Sequence, residues 1–348
     1  MTGEKTKSNR SAPTGKPPSR KRTAAATKTA EGAAKSAGRP AVMVTGAGGA
    51  LAQQVIRRLR RDHQVIAVDF RHQPELGGDV KGYKVDFNKR EFEDIFRRHR
   101  PIGIIHLGRM LTSQGTRASR YAANVLGTQK LLELAVKHGV GQVVVMSTFH
   151  VYGAHPYNPA LIEENAPLKA TEINSDLVDS VELENLAAIY LWKHPELHMT
   201  VLRPCNVIGP GVNNTISRIL AARHAPWLMG FSPVMQFLHV EDTADAVEVA
   251  FRKNRPGIYN VAPADWVAYD KALARCGCSR IPIPSIPGNV PKAISSLLGW
   301  RSFPLYLVNY FKFPVVIDGT LFRKTFGFEP RYSLDEMFSH YRETKQSS

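Results

Sequence analysis

The sequence predicts an α/β fold: a doubly wound parallel sheet covered by helices on both faces, with a smaller region at its C-terminal end. Two observations support this prediction. Short apolar runs alternate with helical patterns from residue 41 onward, and the first run ends in a glycine-rich turn. Strands that alternate with helices are joined by right-handed crossovers, which make the strands parallel and bury them between helical layers. A chain of 348 residues, 43% of them apolar, can bury such a core.

The alternation of apolar runs and helical periodicity sets the expected order of elements. Strands are predicted over residues 41–45, 64–69, 83–86, 102–107, 141–147, 199–203, 236–239 and 257–261. Helices are predicted over residues 50–61, 89–99, 117–138 and 176–193, and near 213–222.

Composition divides the chain into three segments: a basic tail over 1–40, the main domain over 41–280 and a C-terminal region over 281–348. The last segment is rich in proline and aromatic residues. We expect it to be a substrate-side lid interleaved with the main domain. Its aromatic side chains would pack against the sheet domain, line an apolar pocket or contact a membrane surface.

Residues 1–40 contain ten Lys or Arg residues, two Glu residues and no aromatic, Ile, Leu or Val residue. Such a segment cannot bury enough apolar surface to offset its ordering entropy, so we expect a disordered tail. Its charge would serve for solvation, or for contact with a polyanion or an acidic membrane surface. Stacking on nucleic-acid bases is not expected, because no aromatic residue lies between the basic ones.

No apolar segment long enough to span a membrane and no secretory leader is recognised in the sequence. Cys205 is isolated, and Cys276 and Cys278 form only a C-x-C pair. This pattern favours free thiols over a disulfide framework or a metal site, and no metal is expected. We therefore expect a cytoplasmic protein.

The glycine-rich turn indicates a dinucleotide site. Gly46 and Gly49 lie where a strand turns sharply into a helix, and the absence of side chains there lets a pyrophosphate approach the helix N-terminus. Asp69 ends the next predicted strand, where a carboxylate accepts hydrogen bonds from the adenosine ribose. Asp69 and the following Phe70 are therefore assigned to the cofactor site.

The same carboxylate would repel the 2′-phosphate of NADP, which makes NAD the expected cofactor and NADP the less favoured one. Arg71 is the opposing observation, because a guanidinium next to Asp69 could bind that phosphate. Asp86 follows a predicted strand and would either reach the adenine amino group or satisfy its own turn.

Six motifs after residue 40 occur in the order found in one enzyme family. The motifs are Thr45-Gly46-x-x-Gly49, Ile105-His106-Leu107-Gly108, Asn124-Val125-Leu126-Gly127-Thr128, Ser147-Thr148-x-x-Val151-Tyr152-Gly153, Leu202-Arg203-Pro204-x-Asn206 and Phe237-Leu238-His239-Val240-Glu241-Asp242. By these motifs the chain resembles an extended short-chain dehydrogenase/reductase of the NAD-dependent epimerase/dehydratase family, most like its UDP-glucose 4-epimerase-like members, with a Rossmann-type sheet.

The resemblance implies further site residues by their place in these motifs. Ala50 and Leu51 would line the pyrophosphate, Asp86 and Phe87 the adenine, Leu107 and Gly108 the ribose, and Pro204 the nicotinamide, while Asn124 would support the active site. The resemblance also implies a homodimer formed through the helices near 117–138 and 176–193.

The catalytic residues depart from the family. The resemblance implies a Ser or Thr that binds the substrate oxygen, an acid/base Tyr, and a Lys four residues later that lowers the phenol pKa. Thr148 takes the hydroxyl position, but no Tyr-x-x-x-Lys occurs between Thr148 and Arg203. Aligning Glu184 with the family's acidic residue puts Asp176 in the tyrosine position and Ser180 in the lysine position. Asp176 would be an unusual base or only a helix N-terminal residue.

The substrate class is predicted from a phosphate-binding residue that this chain lacks. Family members that use UDP-sugars are implied to hold the diphosphate with an Arg before the Phe-Leu-His-Val strand, where this chain has Met235. A thioether in that place disfavours nucleotide sugars and points to an apolar small molecule. Two functions remain open: an NAD-binding oxidoreductase with a non-standard acid/base, or a catalytically silent NAD-sensing or scaffold protein.

Overall fold

Thirteen strands are present in the computed structural model of this protein, which describes residues 38–74, 77, 79–111, 114–285, 290–298 and 306–346. In chain order they are β1 (Ala41–Thr45), β2 (Gln64–Asp69), β3 (Lys81–Lys84), β4 (Gly103–His106), β5 (Gln142–Met146), β6 (Met199–Pro204), β7 (Asn206–Ile208), β8 (His224–Leu228), β9 (Val234–Met235), β10 (Phe237–His239), β11 (Gly257–Val261), β12 (Val267–Ala268) and β13 (Ser279–Ile283).

The described α-helices are α1 (Ala50–Leu59), α2 (Arg90–His99), α3 (Arg117–Tyr121), α4 (Gly127–Lys137), α5 (Ala170–Ile173), α6 (Val178–Lys193), α7 (Thr215–Ala221), α8 (Val240–Lys253), α9 (Tyr269–Arg275), α10 (Val290–Leu298), α11 (Leu307–Tyr310), α12 (Thr320–Phe326) and α13 (Leu334–Gln346). Short 3₁₀ turns cover Phe149–Tyr152, Ser175–Leu177 and Pro195–Leu197.

Seven of the described strands form one parallel sheet in the order β11-β6-β5-β4-β1-β2-β3. The two sides of this sheet have separate apolar cores. Val42 and Val44 of β1 face one core with Val55 of α1 and Val247 of α8, while Met43 faces the other core. Helices α2, α4 and α6 supply Phe92, Leu131, Leu183 and further side chains to that second core. Helices therefore cover both faces, which confirms the predicted fold class.

The observed boundaries differ from the predicted ones at two places near the site. Strand β3 begins and ends two residues earlier than the predicted 83–86, because its pairing with β2 runs from Lys81 to Lys84, opposite the last residue of β2, Asp69. The predicted helix 117–138 is broken into α3, a π-helical segment at Ala122–Leu126, and α4. Such π segments are rare and widen the helix locally, which sequence periodicity does not signal.

The C-terminal region packs into the main sheet domain. Strand β13 pairs with β8, and Gln236 next to β10 donates a hydrogen bond of 3.1 Å from Nε2 to the carbonyl of Ile317. The described residues from Pro40 onward form one compact unit. The proposed division at residue 280 stays a prediction, and all of the basic tail but residues 38–40 lies outside the described residues.

None of the helices in the described ranges is long and apolar enough to cross a membrane. Cys205, Cys276 and Cys278 are buried free thiols, and burial raises their pKa values. The same ranges contain no cluster of His, Cys, Asp or Glu side chains that could hold a metal ion.

A buried ion pair ties helix α6 to strand β6. Glu184 Oε1 accepts hydrogen bonds from Arg203 Nε at 2.9 Å and Nη2 at 2.7 Å, and both side chains are almost fully buried. Arg203 Nη1 also donates to the Tyr152 hydroxyl and to the Glu164 carbonyl. This pair fixes which face of α6 meets the sheet, while the placement of Asp176 and Ser180 by alignment of Glu184 stays a prediction.

We predict that Glu184→Gln lowers the free energy of unfolding by about 3 kcal/mol, because it leaves the Arg203 charge buried without a counter-charge. The measurement is urea unfolding at neutral pH. The control is Asp62→Asn, which removes the partner of Arg252 in an exposed pair at 2.7 Å. That change should cost less than about 1 kcal/mol. Equal effects of the two substitutions would contradict the stabilising role of the buried pair.

Candidate functional site

The candidate site lies at the carboxyl ends of the central strands. From β1 the chain continues to β2 and β3 on one side, whereas β4 lies on the other side of β1. The crevice between β1 and β4 is therefore the switch point at which open α/β sheets bind their ligands. Two neighbouring spaces open there, a groove of about 360 Å³ and a cavity of about 240 Å³.

The glycine turn brings two loops into close contact at the start of the groove. Gly46 has a φ of +69°, and a Cβ added there would lie 2.6 Å from the Cα of Gly108. Gly49 precedes α1, and no side chain caps this helix. Its first backbone amides, including those of Ala50 and Leu51, therefore have no intrahelical acceptor and suit a pyrophosphate.

Asp69 lies at the end of β2 and lines the groove. Its Oδ2 accepts a hydrogen bond of 2.9 Å from the Gly48 amide, and its Oδ1 accepts from the amides of Arg71 and His72 at 2.8 and 3.0 Å. A carboxylate offers about four acceptor positions, so these three bonds hold its orientation and leave room for a ribose hydroxyl. This geometry fits a dinucleotide whose adenosine ribose has free hydroxyls.

The groove brings together most of the residues predicted for the cofactor. They are Gly46, Gly49, Asp69, Phe70, Asp86, Phe87, Leu107, Gly108 and Asn124. Phe87 is held by stacking on Phe92 at 4.4 Å between ring centroids, and Asp86 accepts a hydrogen bond from the Asn88 amide. Arg71 also lines the groove, whereas Ala50 and Leu51 begin the helix behind it and Pro204 is buried at the end of β6.

A chain of buried hydrogen bonds fixes the floor of the groove. Burial lowers the pKa of His106 to about 4, so this imidazole is neutral at physiological pH. Thr128 Oγ1 donates to the Asn124 carbonyl, so it accepts from His106 Nε2 at 2.9 Å. His106 Nδ1 consequently accepts from Thr45 Oγ1 at 2.7 Å, and Thr45 accepts from the Gly108 amide. All members are satisfied, which rigidifies such a network.

Asn124 occupies the π-helical segment and links the groove to helix α6. Its Oδ1 accepts from the Met110 amide at 2.8 Å, and its Nδ2 donates to the Met110 carbonyl at 2.9 Å and to Asp179. The side chain is fully buried. The loop after β4 is thereby held in one position against α6.

The second space is a largely apolar cavity. Its walls come from the loop after β5, helix α6, strand β7, helix α7 and helix α11 of the C-terminal region. Thr148 lines it and exchanges a hydrogen bond of 2.8 Å between its Oγ1 and His150 Nδ1. Ser147 lines it too, and its hydroxyl is buried with no hydrogen-bond partner among the described residues.

His150 stabilises the Thr148 side of the cavity. Burial, and then the nearby Arg109 charge, lower its pKa to about 3, so the ring is neutral. It lies against Phe149, Tyr306 and Tyr310, and the Tyr310 hydroxyl donates to its carbonyl at 2.7 Å. When the His150 proton is on Nδ1, Thr148 accepts that bond and keeps its own proton for a substrate oxygen.

Arg109 lines both the groove and the cavity. It follows β4 and the Leu107-Gly108 pair, and its Nη2 donates to the Ser180 hydroxyl. Burial lowers the pKa of this guanidinium, while the charges of Asp179, Tyr306 and Glu184 act in the opposite direction. Arg109 was not predicted as a site residue from the sequence, because a charged residue three positions after the end of a buried strand is not distinctive by itself.

Asp176 and Ser180, the two residues assigned to the Tyr and Lys positions by aligning Glu184, have different surroundings. Ser180 lines the cavity and contacts Arg109. Asp176 is not among the described residues that line the cavity; its carboxylate lies 3.9 Å from Arg120 and is one-third exposed. Its backbone amide donates to Asn174 Oδ1, which caps the 3₁₀ turn over Ser175–Leu177. A catalytic role for Asp176 stays a prediction.

Comparisons with known proteins agree with this architecture. The family model described as "NAD dependent epimerase/dehydratase family" matches residues 42–262. An uncharacterized protein of Mycobacterium tuberculosis is 27% identical over 315 residues, which cover 86% of this chain and 82% of the relative.

A protein named 2-alkyl-3-oxoalkanoate reductase, from Stenotrophomonas maltophilia, is 30% identical over 252 residues, covering 67% of this chain and 71% of the relative. Among solved structures, UDP-glucose 4-epimerase of Thermotoga maritima with UDP-glucose superimposes with a TM-score of 0.71 at 21% identity, covering 88% and 99% of the two chains. The family match spans most of the chain and all the strands of the main sheet, and its NAD dependence agrees with the predicted cofactor. The chain belongs to the NAD-dependent epimerase/dehydratase family.

Proposed function

We propose that this protein is an NAD-dependent oxidoreductase that acts on an alcohol or ketone carried by an apolar small molecule. One observation carries the proposal: the dinucleotide groove and the apolar cavity share the wall formed by Arg109 and Met110. When bound, NAD supplies a hydride acceptor, or in its reduced form a hydride donor, beside that cavity. The chain's own residues would position the substrate oxygen and exclude water.

The groove favours NAD over NADP. Gly48, Arg71 and His72 orient the Asp69 carboxylate toward the ribose side, where it would repel a 2′-phosphate. Arg71 is the residue that would reverse this preference if its guanidinium turned toward the phosphate. The backbone amides at the start of α1 would hold the pyrophosphate.

The cavity favours an apolar substrate over a nucleotide sugar. Among its described lining residues Arg109 is the single cation, and that guanidinium is engaged by Ser180 with Asp179 close by. Met235 lines the cavity where the family resemblance places a diphosphate-binding Arg. A diphosphate would find few charge-assisted donors there. The likeness to a protein named 2-alkyl-3-oxoalkanoate reductase supports 3-oxo acids with alkyl branches as the class to test first.

Thr148 is the residue proposed to hold the substrate oxygen. Thr148 lines the cavity, and its hydroxyl is oriented by His150. The adjacent Ser147 has a buried hydroxyl without a hydrogen-bond partner among the described residues, and a small shift of this side chain would make it a second donor. Asp176 remains the candidate base from the sequence, but its carboxylate would have to leave Arg120 to enter the cavity.

The family resemblance also suggests a homodimer. Tyr121 and Leu126 near α4 and Ile189 and Trp192 on α6 are exposed large apolar side chains, and Trp192 is 82% exposed. The α6 helix packs beside the π-helical segment that carries Leu126. Burial of these side chains against a second copy would remove apolar surface from water.

We predict that calorimetric titration shows binding of NAD⁺ and NADH, with weaker binding of NADP⁺ and NADPH. Asp69→Asn should weaken NAD⁺ binding about tenfold, because a hydrogen bond to a charged group is lost. Gly46→Ala should abolish binding, since its Cβ meets the Gly108 backbone. Gly139→Ala is the control, because Gly139 has a similar φ of +67° but open space around its Cβ position. Binding that survives Gly46→Ala would contradict the proposed groove.

We predict that the protein oxidises NADH in the presence of 2-alkyl-3-oxoalkanoates, and that Thr148→Val lowers kcat/KM about 100-fold by removing a donor to the developing oxyanion. The exposed Thr171→Val is the matched control, and Asp176→Asn tests the remaining candidate base. UDP-glucose and dTDP-glucose are assayed in parallel. Turnover of the nucleotide sugars alone would contradict the apolar substrate. NAD binding with no turnover of any substrate would favour the silent NAD-sensing protein.

We predict a dimer by light scattering after size-exclusion chromatography, and a monomer for Trp192→Glu, because a charge would be buried in the apolar interface. Trp266→Glu is the matched control, since Trp266 is 54% exposed and lies before β12. A wild-type monomer, or a dimer that survives Trp192→Glu, would exclude an interface that contains Trp192.

A further inference from the structure

A cation lies beside the position that the family resemblance assigns to the lysine. Ser180 stands at that position on α6, and the guanidinium of Arg109 reaches its hydroxyl from the loop after β4. Asp179 and Glu184 of the same helix supply the negative charges that favour the protonated guanidinium. Asn124 fixes this arrangement, because it binds the backbone of Met110 next to Arg109 and also the Asp179 carboxylate.

The cavity also contains a phenol that comes from outside helix α6. Tyr306 precedes α11 and lines the cavity together with Arg109 and Thr148. Its ring lies edge-on to the His150 ring, with 5.6 Å between centroids, and His150 in turn contacts Thr148. The neighbouring Tyr310 is engaged by the His150 carbonyl, so its proton already has an acceptor.

We propose that Arg109 and Tyr306 take over the two roles of the absent Lys and Tyr, with the cation supplied by the β4 loop and the phenol by the C-terminal region. Arg109 would hold the ribose next to the nicotinamide and stabilise the phenolate of Tyr306. This inference rests on the proposed oxidoreductase function and specifies its acid/base group.

The proton balance of this arrangement is simple. In reduction, the Tyr306 O–H bond breaks and its proton goes to the carbonyl oxygen whose carbon takes the hydride from NADH. The phenolate left behind is held by the Arg109 guanidinium and regains a proton from solvent. In oxidation, the phenolate takes the alcohol proton. An Arg suits this role because its guanidinium stays protonated and offers several N–H donors.

The charged and titratable groups around the pair favour the same assignment. Arg109 faces Asp179, Glu184, His150 and Tyr306, and Tyr306 faces Arg109, His150 and Tyr310. His150 is neutral, so Arg109 is the positive charge that a Tyr306 phenolate would meet among these groups.

The first experiment uses binding and needs no substrate. Arg109→Met should weaken NAD⁺ binding about tenfold, because a charged donor to the ribose is lost, while binding of ADP, which lacks that ribose, stays unchanged. The exposed Arg97→Met is the control for loss of a guanidinium. Equal loss of NAD⁺ and ADP, or no loss of either, would overturn the role of Arg109. If the wild-type protein binds neither ligand, the proposed function itself fails.

A double variant tests whether a lysine on α6 can replace Arg109. Arg109→Met combined with Ser180→Lys should recover NAD⁺ binding to within about threefold of the wild type, because the new ammonium lies one helical turn before Glu184. A double variant that folds with an unchanged melting temperature but does not recover NAD⁺ binding would contradict the proposed replacement.

Tyr306 is tested by the ultraviolet absorbance of tyrosinate in the NAD⁺-saturated protein. One phenol should ionise below the ordinary tyrosine pKa of about 10. Tyr306→Phe should remove this ionisation, Arg109→Met should raise its pKa, and the exposed Tyr157→Phe should leave it unchanged. Tyr306→Phe should also lower kcat with 2-alkyl-3-oxoalkanoates about 100-fold or more. A low-pKa phenol that persists in Tyr306→Phe, or full activity of that variant, would overturn the role of Tyr306.

Discussion

The amide of Asn124 is the contact on which the two-part site depends. It uses its oxygen and both of its donors: two bonds go to the backbone of Met110 and one to Asp179. The loop after β4 therefore has a fixed position relative to helix α6, and this loop is the wall shared by the groove and the cavity. The Thr45–His106–Thr128 chain extends the same constraint to the glycine turn. A buried network of this kind is rigid because none of its members lacks a partner.

Charge balance explains how a guanidinium can lie buried at this site. A buried guanidinium is stable only when carboxylates and hydrogen-bond acceptors surround it. Asp179, Glu184 and Ser180 meet that need for Arg109, while Glu184 also neutralises Arg203 on the neighbouring strand. In the proposed arrangement the cation beside α6 comes from the loop after β4 and not from the helix itself. The contacts of Arg109 are compatible with a positive charge between cofactor and substrate.

The sequence predicted the framework of this arrangement well, for physical reasons. Strands buried on both faces have continuous apolar runs, and the Gly46 turn and Asp69 occur at a spacing set by one strand-helix-strand unit. Those signals are local. The π-helical segment around Asn124 was missed because it interrupts a helical pattern without changing its apolar residues. Arg109 and Tyr306 were missed because their significance lies in contacts with residues distant in the chain, and no local pattern distinguishes them from an ordinary charged or aromatic residue.

We infer that the groove holds NAD so that its nicotinamide half reaches the wall formed by Arg109 at the mouth of the apolar cavity. The most direct measurement is a crystal structure of the protein with NAD⁺. We predict the adenosine ribose on Asp69, the second ribose on the Arg109 guanidinium, and the nicotinamide beside Pro204, facing Thr148 and Tyr306. A dinucleotide bound elsewhere, or one whose nicotinamide ribose contacts Asp176 while Arg109 stays on Ser180 alone, would contradict the account.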